Sequence, residues 1–229
     1  MPTKLTVVKA DLSVETGYIS PAFGLFRDIP ALLQHLFARL QSHVPRLQEM
    51  KVERGTENSF GEFHVACHLY GLRLGVRVYA EKVSIVFINV LENEVEKFGS
   101  VVVDALSAVK EHQPTLAFQT HTMAVVLHGT LEGKSVREYL SSFVRNVPNG
   151  LGPHTGSGGV MYFGAEDDRI LSTMTVDLSG MVPDGLFVRP YVVWDAKKVE
   201  VAALPVRATG FIRQALGAFG LEISSLRLP

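Results

Sequence analysis

With a single cysteine in its 229 residues, the chain cannot form an internal disulfide, and Cys67 is expected in a reducing, cytoplasmic setting. Basic residues are in no excess: 22 Lys and Arg stand against 23 Asp and Glu, a net charge of −1. That balance removes the domain-wide positive charge usual in nucleic-acid binders and disfavours nucleic acid as a partner. No apolar run approaches the roughly 18 residues of a membrane span. The N-terminal stretch MPTKLTVVKADLSVE also lacks the apolar segment and small-residue cleavage site of a signal peptide. A soluble cytoplasmic protein without a membrane partner is the expectation. Chemical signatures are missing as well. There is no G-x-S-x-G, no Walker loop and no H-E-x-x-H, so no catalytic residue, cofactor or metal is assigned, and the sequence leans away from an enzyme.

What is present is an ordinary globular composition, 47% hydrophobic and 20% charged, with enough length for one large domain or two small fused ones. Leu5 to Val14 alternates as a first strand. Asp28 stands where an N-cap belongs, before Pro30, and Leu33, Leu36, Phe37 and Leu40 follow at helical spacing to about Pro45. Residues 46–58 suggest a loop, or a short strand around Met50 to Val52. Three strand-like runs come next, Phe60 to Tyr70, Leu72 to Ala80 and Val83 to Leu91. A helix then carries Val95, Phe98, Val102, Ala105, Leu106 and Val109 and is closed by Pro114.

The run Thr115 to Thr130, TLAFQTHTMAVVLHGT, restarts the pattern. Ser135 with Glu138 forms a capping box for a helix bearing Val136, Tyr139, Leu140 and Phe143. A glycine-rich loop at 147–159 leads to three further strands, Val160 to Gly164, Ile170 to Ser179 and Leu186 to Trp194. A last helix begins at Pro205, and Gly220 is its natural C′ residue. Each half is thus strand, helix, three strands, helix. Residues 1–114 form the first half and 115–229 the second, the two fused into one continuous sheet.

This order resembles the topology of TATA-binding-protein-like folds, in which two such halves make one curved antiparallel sheet with helices on one side. No sequence motif of that family is matched, so no binding residue is carried over. The fold class expected is α+β, with a helix-grip fold as the alternative.

Several clusters invite chemistry and are better explained by structure. The glycine-rich loop has no lysine and runs from helix to strand, which suits a connector rather than a phosphate cradle. His64 and His68 share a strand face but lie roughly 13 Å apart along extended chain, too far to share one metal ion without bending. Cys67 falls amid apolar alternation, as a buried hydrophobe would. Glu166-Asp167-Asp168 fits a hairpin turn, and Glu92, Glu94 and Glu96 suit the positive end of the following helix.

Pleat alternation gathers a more distinctive set. If the apolar residues face the helices, the opposite sheet face collects His64, His68, Tyr70, Arg73, Arg77, Tyr79, Asp177, Arg189 and Tyr191, with His121 joining them from the central run. Arginine and tyrosine together are favoured at protein interfaces. The expected function is a non-catalytic binding or assembly module that uses this face to hold a protein partner or a second copy of itself. One alternative is a small-molecule site or enzyme between the sheet and the 147–159 loop, built from His121, Asp177, Arg189 and His154. The other is single-stranded nucleic-acid binding, with Tyr70 and Tyr79 stacking beside Arg73 and Arg77.

Overall fold

The computed structural model describes residues 2–43, 46–53, 62–143 and 158–226. Its axis is β1 (Thr3–Tyr18), longer at both ends than its first apolar alternation suggests. Leu5, Val7, Ala10, Leu12, Val14 and Tyr18 are buried on one face. A register shift between Val7 and Lys9 keeps both apolar stretches on that side.

One edge of β1 pairs antiparallel with β6 (Phe118–Leu131), from Leu5 opposite Leu131 to Tyr18 opposite Phe118. The other edge is divided. β5 (Lys82–Phe87) runs antiparallel to Leu12–Gly17, and β10 (Leu221–Leu226) runs parallel to Thr3–Val7. The remaining strands are β2 (Met50–Glu53), β3 (His64–Leu69), β4 (Leu74–Tyr79), β7 (Gly159–Phe163), β8 (Arg169–Leu178) and β9 (Leu186–Asp195).

Together they make one curved sheet of ten strands, in the order β2-β3-β4-β5-β1-β6-β9-β8-β7 with β10 beside β1. All of its pairings are antiparallel except β1 with β10. Outward from the central pair, β5, β4 and β3 lie on one flank and β9, β8 and β7 on the other. Neither β2 nor β10 has a counterpart among the described residues.

The helices α1 (Ile29–Leu40), α2 (Val95–His112), α3 (Val136–Ser141) and α4 (Leu204–Ala218) share one core with the apolar sheet face. Local sequence explains their ends. Asp28 accepts a hydrogen bond from the Ala31 amide at 2.9 Å. The Ser135 hydroxyl accepts from the Glu138 amide at 3.1 Å while Glu138 accepts in return from the Ser135 amide. Gly220, at φ +66°, ends the chain's path out of α4 in a left-handed conformation that favours glycine. Leu32, Leu36 and Leu40 of α1 are fully buried, each contributing about 1.5–3 kcal/mol of transfer free energy.

The α2 and α4 helices meet closely at Gly99, where an added Cβ would stand 2.9 Å from Cβ of Pro205. That approach brings the two helices together at one end of the layer. Among the described residues no helix is long and apolar enough to cross a membrane.

Candidate functional site

The sheet face opposite the helices carries no described helix, and pleat alternation decides what it displays. On β3 it presents His64 and His68, on β4 Arg77 and Tyr79, on β9 Arg189 and Tyr191, and on β8 Asp177. Two Arg-x-Tyr pairs, Arg77 with Tyr79 and Arg189 with Tyr191, therefore lie on the same face on opposite flanks of the central strands. Small residues lie between them. The row Gly75, Val86, Ser13, Ala124, Tyr191 and Thr173 crosses six adjacent strands in register.

On the flank holding β2 to β5, most polar groups other than Arg77 find partners within the sheet. Nε2 of His64 lies 2.9 Å from Glu53 and Nε2 of His68 lies 3.6 Å from the same carboxylate, so both rings lean toward one acid on β2. Burial would raise the Glu53 carboxyl, but the hydrogen bonds and charges of the two histidines outweigh it and hold it below the usual range. The His64 ring packs 4.7 Å from that of Tyr79. Lys82 donates to Glu15 at 2.8 Å. Among the described residues no group of three or more His, Cys, Asp or Glu side chains could hold a metal ion.

The other flank is less satisfied. Tyr162 on β7 is 75% exposed, with Val160 beside it on the same face. Arg189 is exposed, and among the described residues its partner is the Tyr191 ring, 5.8 Å away. Asp177 accepts from the Leu178 amide at 2.7 Å. Arg77 has no hydrogen bond or ion pair among the described residues.

Three residues expected on this face are elsewhere. Tyr70, Gly71 and Leu72 all adopt positive φ, and this left-handed turn breaks the pleat before β4 begins. Arg73 consequently reaches round to the helix side, where it forms a two-pronged pair with Glu94 and donates to the Asn89 carbonyl at 2.8 Å. Tyr70 stacks on Phe87 at 5.4 Å and lies 3.3 Å from Nδ1 of His43, whose Nε2 is 3.1 Å from Asp104. Burial raises the Tyr70 hydroxyl pKa, and the Glu94 charge adds to this. His121 is the third. It is 1% exposed on the helix-facing side of β6, between Thr16 of β1 and Trp194 of β9.

The small-molecule site expected beside the 147–159 loop is not assembled from the described residues. His121 lies on the face opposite Asp177 and Arg189, while His154 and residues 147–157 are outside the described residues, as are 54–58 of the first polar loop. Cys67 is fully buried and burial pushes its thiol up to about 12, so it is not an activated nucleophile. The acidic turn is a hairpin closed between Glu166 and Arg169.

What sequence reading missed is a cleft on the helix side. Beyond Gly99 and Pro205, α2 and α4 leave an apolar space over the central strands. One lobe, about 520 Å³, has Leu12, Val14 and Met123 as its floor and Phe98 and Trp194 in its walls. A second, about 650 Å³, continues over Ala10, Val125 and Leu127. Leu12, Val95, Thr209, Ile212 and Arg213 line both. Helical periodicity marks which face of α4 is apolar but carries no information on its distance from α2.

No protein-family profile matches this chain, and no curated protein matches it. Among solved structures, lombricine kinase is similar at 10% identity and a TM-score of 0.33, covering 95% of this chain and 68% of the kinase. The aspartate kinase of Clostridium acetobutylicum is similar at 10% identity and a TM-score of 0.19, covering 86% of this chain and 32% of that enzyme. Likeness at this level carries no inference about the activity of the chain.

Proposed function

We propose that this chain is a non-catalytic binding or assembly module whose contact surface is the sheet face that no described helix covers, centred on Arg77, Tyr79, Arg189 and Tyr191. The observation that carries the reading is two arginines without a hydrogen bond or ion pair among the described residues, each beside a tyrosine on a sheet face that no described helix covers, with Tyr162 exposed at its margin. Planar cations and phenols offer large contact area and directional hydrogen bonds, and small residues between them let a partner approach the backbone. His64 and His68 frame the same surface. The partner is a protein or a second copy of the chain. A cytoplasmic setting is part of the proposal, supported by the lone buried thiol. So is a duplicated half, supported by the matching strand order on either side of β1 and β6.

The test uses an R77E/R189E double variant. Sedimentation across a wide concentration range reads self-association, and affinity capture from the native cell followed by mass spectrometry reads other partners. A complex present with the parent chain and lost with a normally folded variant supports the reading. Identical mass and identical captured proteins for both chains remove it. Retention of single-stranded oligonucleotide instead, weakening as salt rises, would replace it with nucleic-acid binding.

A further inference from the structure

We infer that the cleft between α2 and α4 is a binding site for a medium-chain monocarboxylate, with the alkyl chain in the lobe beside Trp194 and the carboxylate at Arg213. The lobe has the volume of a small-molecule site. Its floor, Leu12, Val14 and Met123, is apolar, and its one ionisable floor group, His121, is held neutral by burial, its pKa lowered to about 4. A buried surface of this kind accepts hydrocarbon and rejects charge.

Polarity along the cleft sets the orientation. Arg213 is exposed and lines the boundary between the lobes, with no hydrogen bond, ion pair or ring partner among the described residues. At the other end stands Glu96, exposed next to the Gly99–Pro205 contact. A cation at one end and an anion at the other suit a ligand with one anionic head and disfavour a dicarboxylate. From Val206 to Arg213 the helix rises roughly 10 Å, the reach of a medium alkyl chain.

Helix α4 itself leaves the room. Gly210 lines the Trp194 lobe and Gly217 the second lobe, and a Cβ added at either meets no atom within 4 Å. Glycine in a helix interior is less favourable than alanine. Both positions sit on the cleft side, where a larger side chain would enter the space a ligand would take.

Trp194 is the only tryptophan in the chain, so its fluorescence reports on this lobe alone. Decanoate, 1-decanol and decanedioate are titrated below their aggregation limits, with thermal melting in parallel. Expected are saturation by decanoate at one equivalent, a raised melting temperature, and weaker binding of decanedioate. R213Q should weaken decanoate about fivefold and leave 1-decanol within about twofold. Gly210→Leu should abolish the response, and Gly217→Leu should keep it. No saturable change, equal effects of R213Q on acid and alcohol, loss of binding with Gly217→Leu but not Gly210→Leu, or a doubling of mass that places a second copy in the cleft would each overturn the assignment. A normal melting transition for each variant separates blocked binding from misfolding.

Discussion

Oγ1 of Thr16 lies 2.9 Å from Nδ1 of His121, a buried polar bridge between the two central strands on the face that the helices cover. Burial holds the imidazole neutral, with its pKa lowered to about 4, against an opposing backbone hydrogen bond to Val199. In the unfolded chain the ring takes its proton near pH 6.5, whereas the native ring does so only near pH 4. Protons therefore favour the unfolded state across that window. Stability is full above pH 6.5 and falls by roughly 3 kcal/mol as pH drops to 4. His121→Asn should flatten this slope in denaturant melts taken from pH 7 to pH 4. A residual slope is expected from His128, which burial and the Lys9 charge also lower.

Arg73 and Arg77 are four residues apart and should behave oppositely. Arg73→Ala leaves the Glu94 carboxylate, 6% exposed, without its guanidinium, at a cost of about 1.5–3 kcal/mol. The Arg73 hydrogen bonds, against a burial penalty, hold the Glu94 pKa below its usual range. Their contribution is therefore present above the carboxyl's unfolded pKa and lost as pH falls through the native one. Arg77→Ala removes no ion pair among the described residues and should stay within about 0.5 kcal/mol of the parent. Urea midpoints of the two variants give the comparison.

Two glycines in helices should respond to alanine with opposite sign. Alanine is favoured over glycine by about 1 kcal/mol in a helix interior. At Gly210 nothing lies within 4 Å of the new Cβ, so Gly210→Ala should stabilise by about that amount. At Gly99 the new Cβ would meet Pro205 at 2.9 Å, and overpacking of this kind costs about 1–3 kcal/mol. Gly99→Ala is expected to lower the melting temperature, and Pro205→Gly in the same chain to relieve the contact.

Cys67 should resist thiol reagents in the native state, because burial removes both access and thiolate. Labelling with a maleimide should follow the fraction unfolded along a urea titration. Stoichiometric labelling in buffer would contradict the buried placement.

Local chemistry was legible from residue order. Asp28, the Ser135–Glu138 box and Gly220 mark helix ends through contacts spanning only a few residues, so their identity is enough. Strict alternation along β4 likewise placed Arg77 and Tyr79 on one face, since the pleat has a period of two, whereas the mixed pattern of β9 left Arg189 and Tyr191 to be placed there by the strand pairing. The same rule failed at Tyr70 and Arg73, because a left-handed turn before β4 resets the phase. It failed at His121 because polar residues fall on both faces of that end of β6, with Gln119 and His121 on one and Thr120 and Thr122 on the other, and so carry no sign of which face is covered. Strand β10 passed unnoticed, as six residues after a helix become a strand only when β1 offers them an edge.

By itself the amino-acid sequence determined the run of strands and helices up to the end of α4, the break near Pro114 and the balance of charge, all of which rest on short-range periodicity and composition. The tertiary structure alone decided that Thr115 to Thr130 contributes the strand β6 at the sheet's centre, that His121 is buried, and that α2 and α4 part over the central strands. Those features arise from long-range register and from the distance between packed helices. Such distances depend on how side chains remote in the chain fill shared space, which no local pattern encodes.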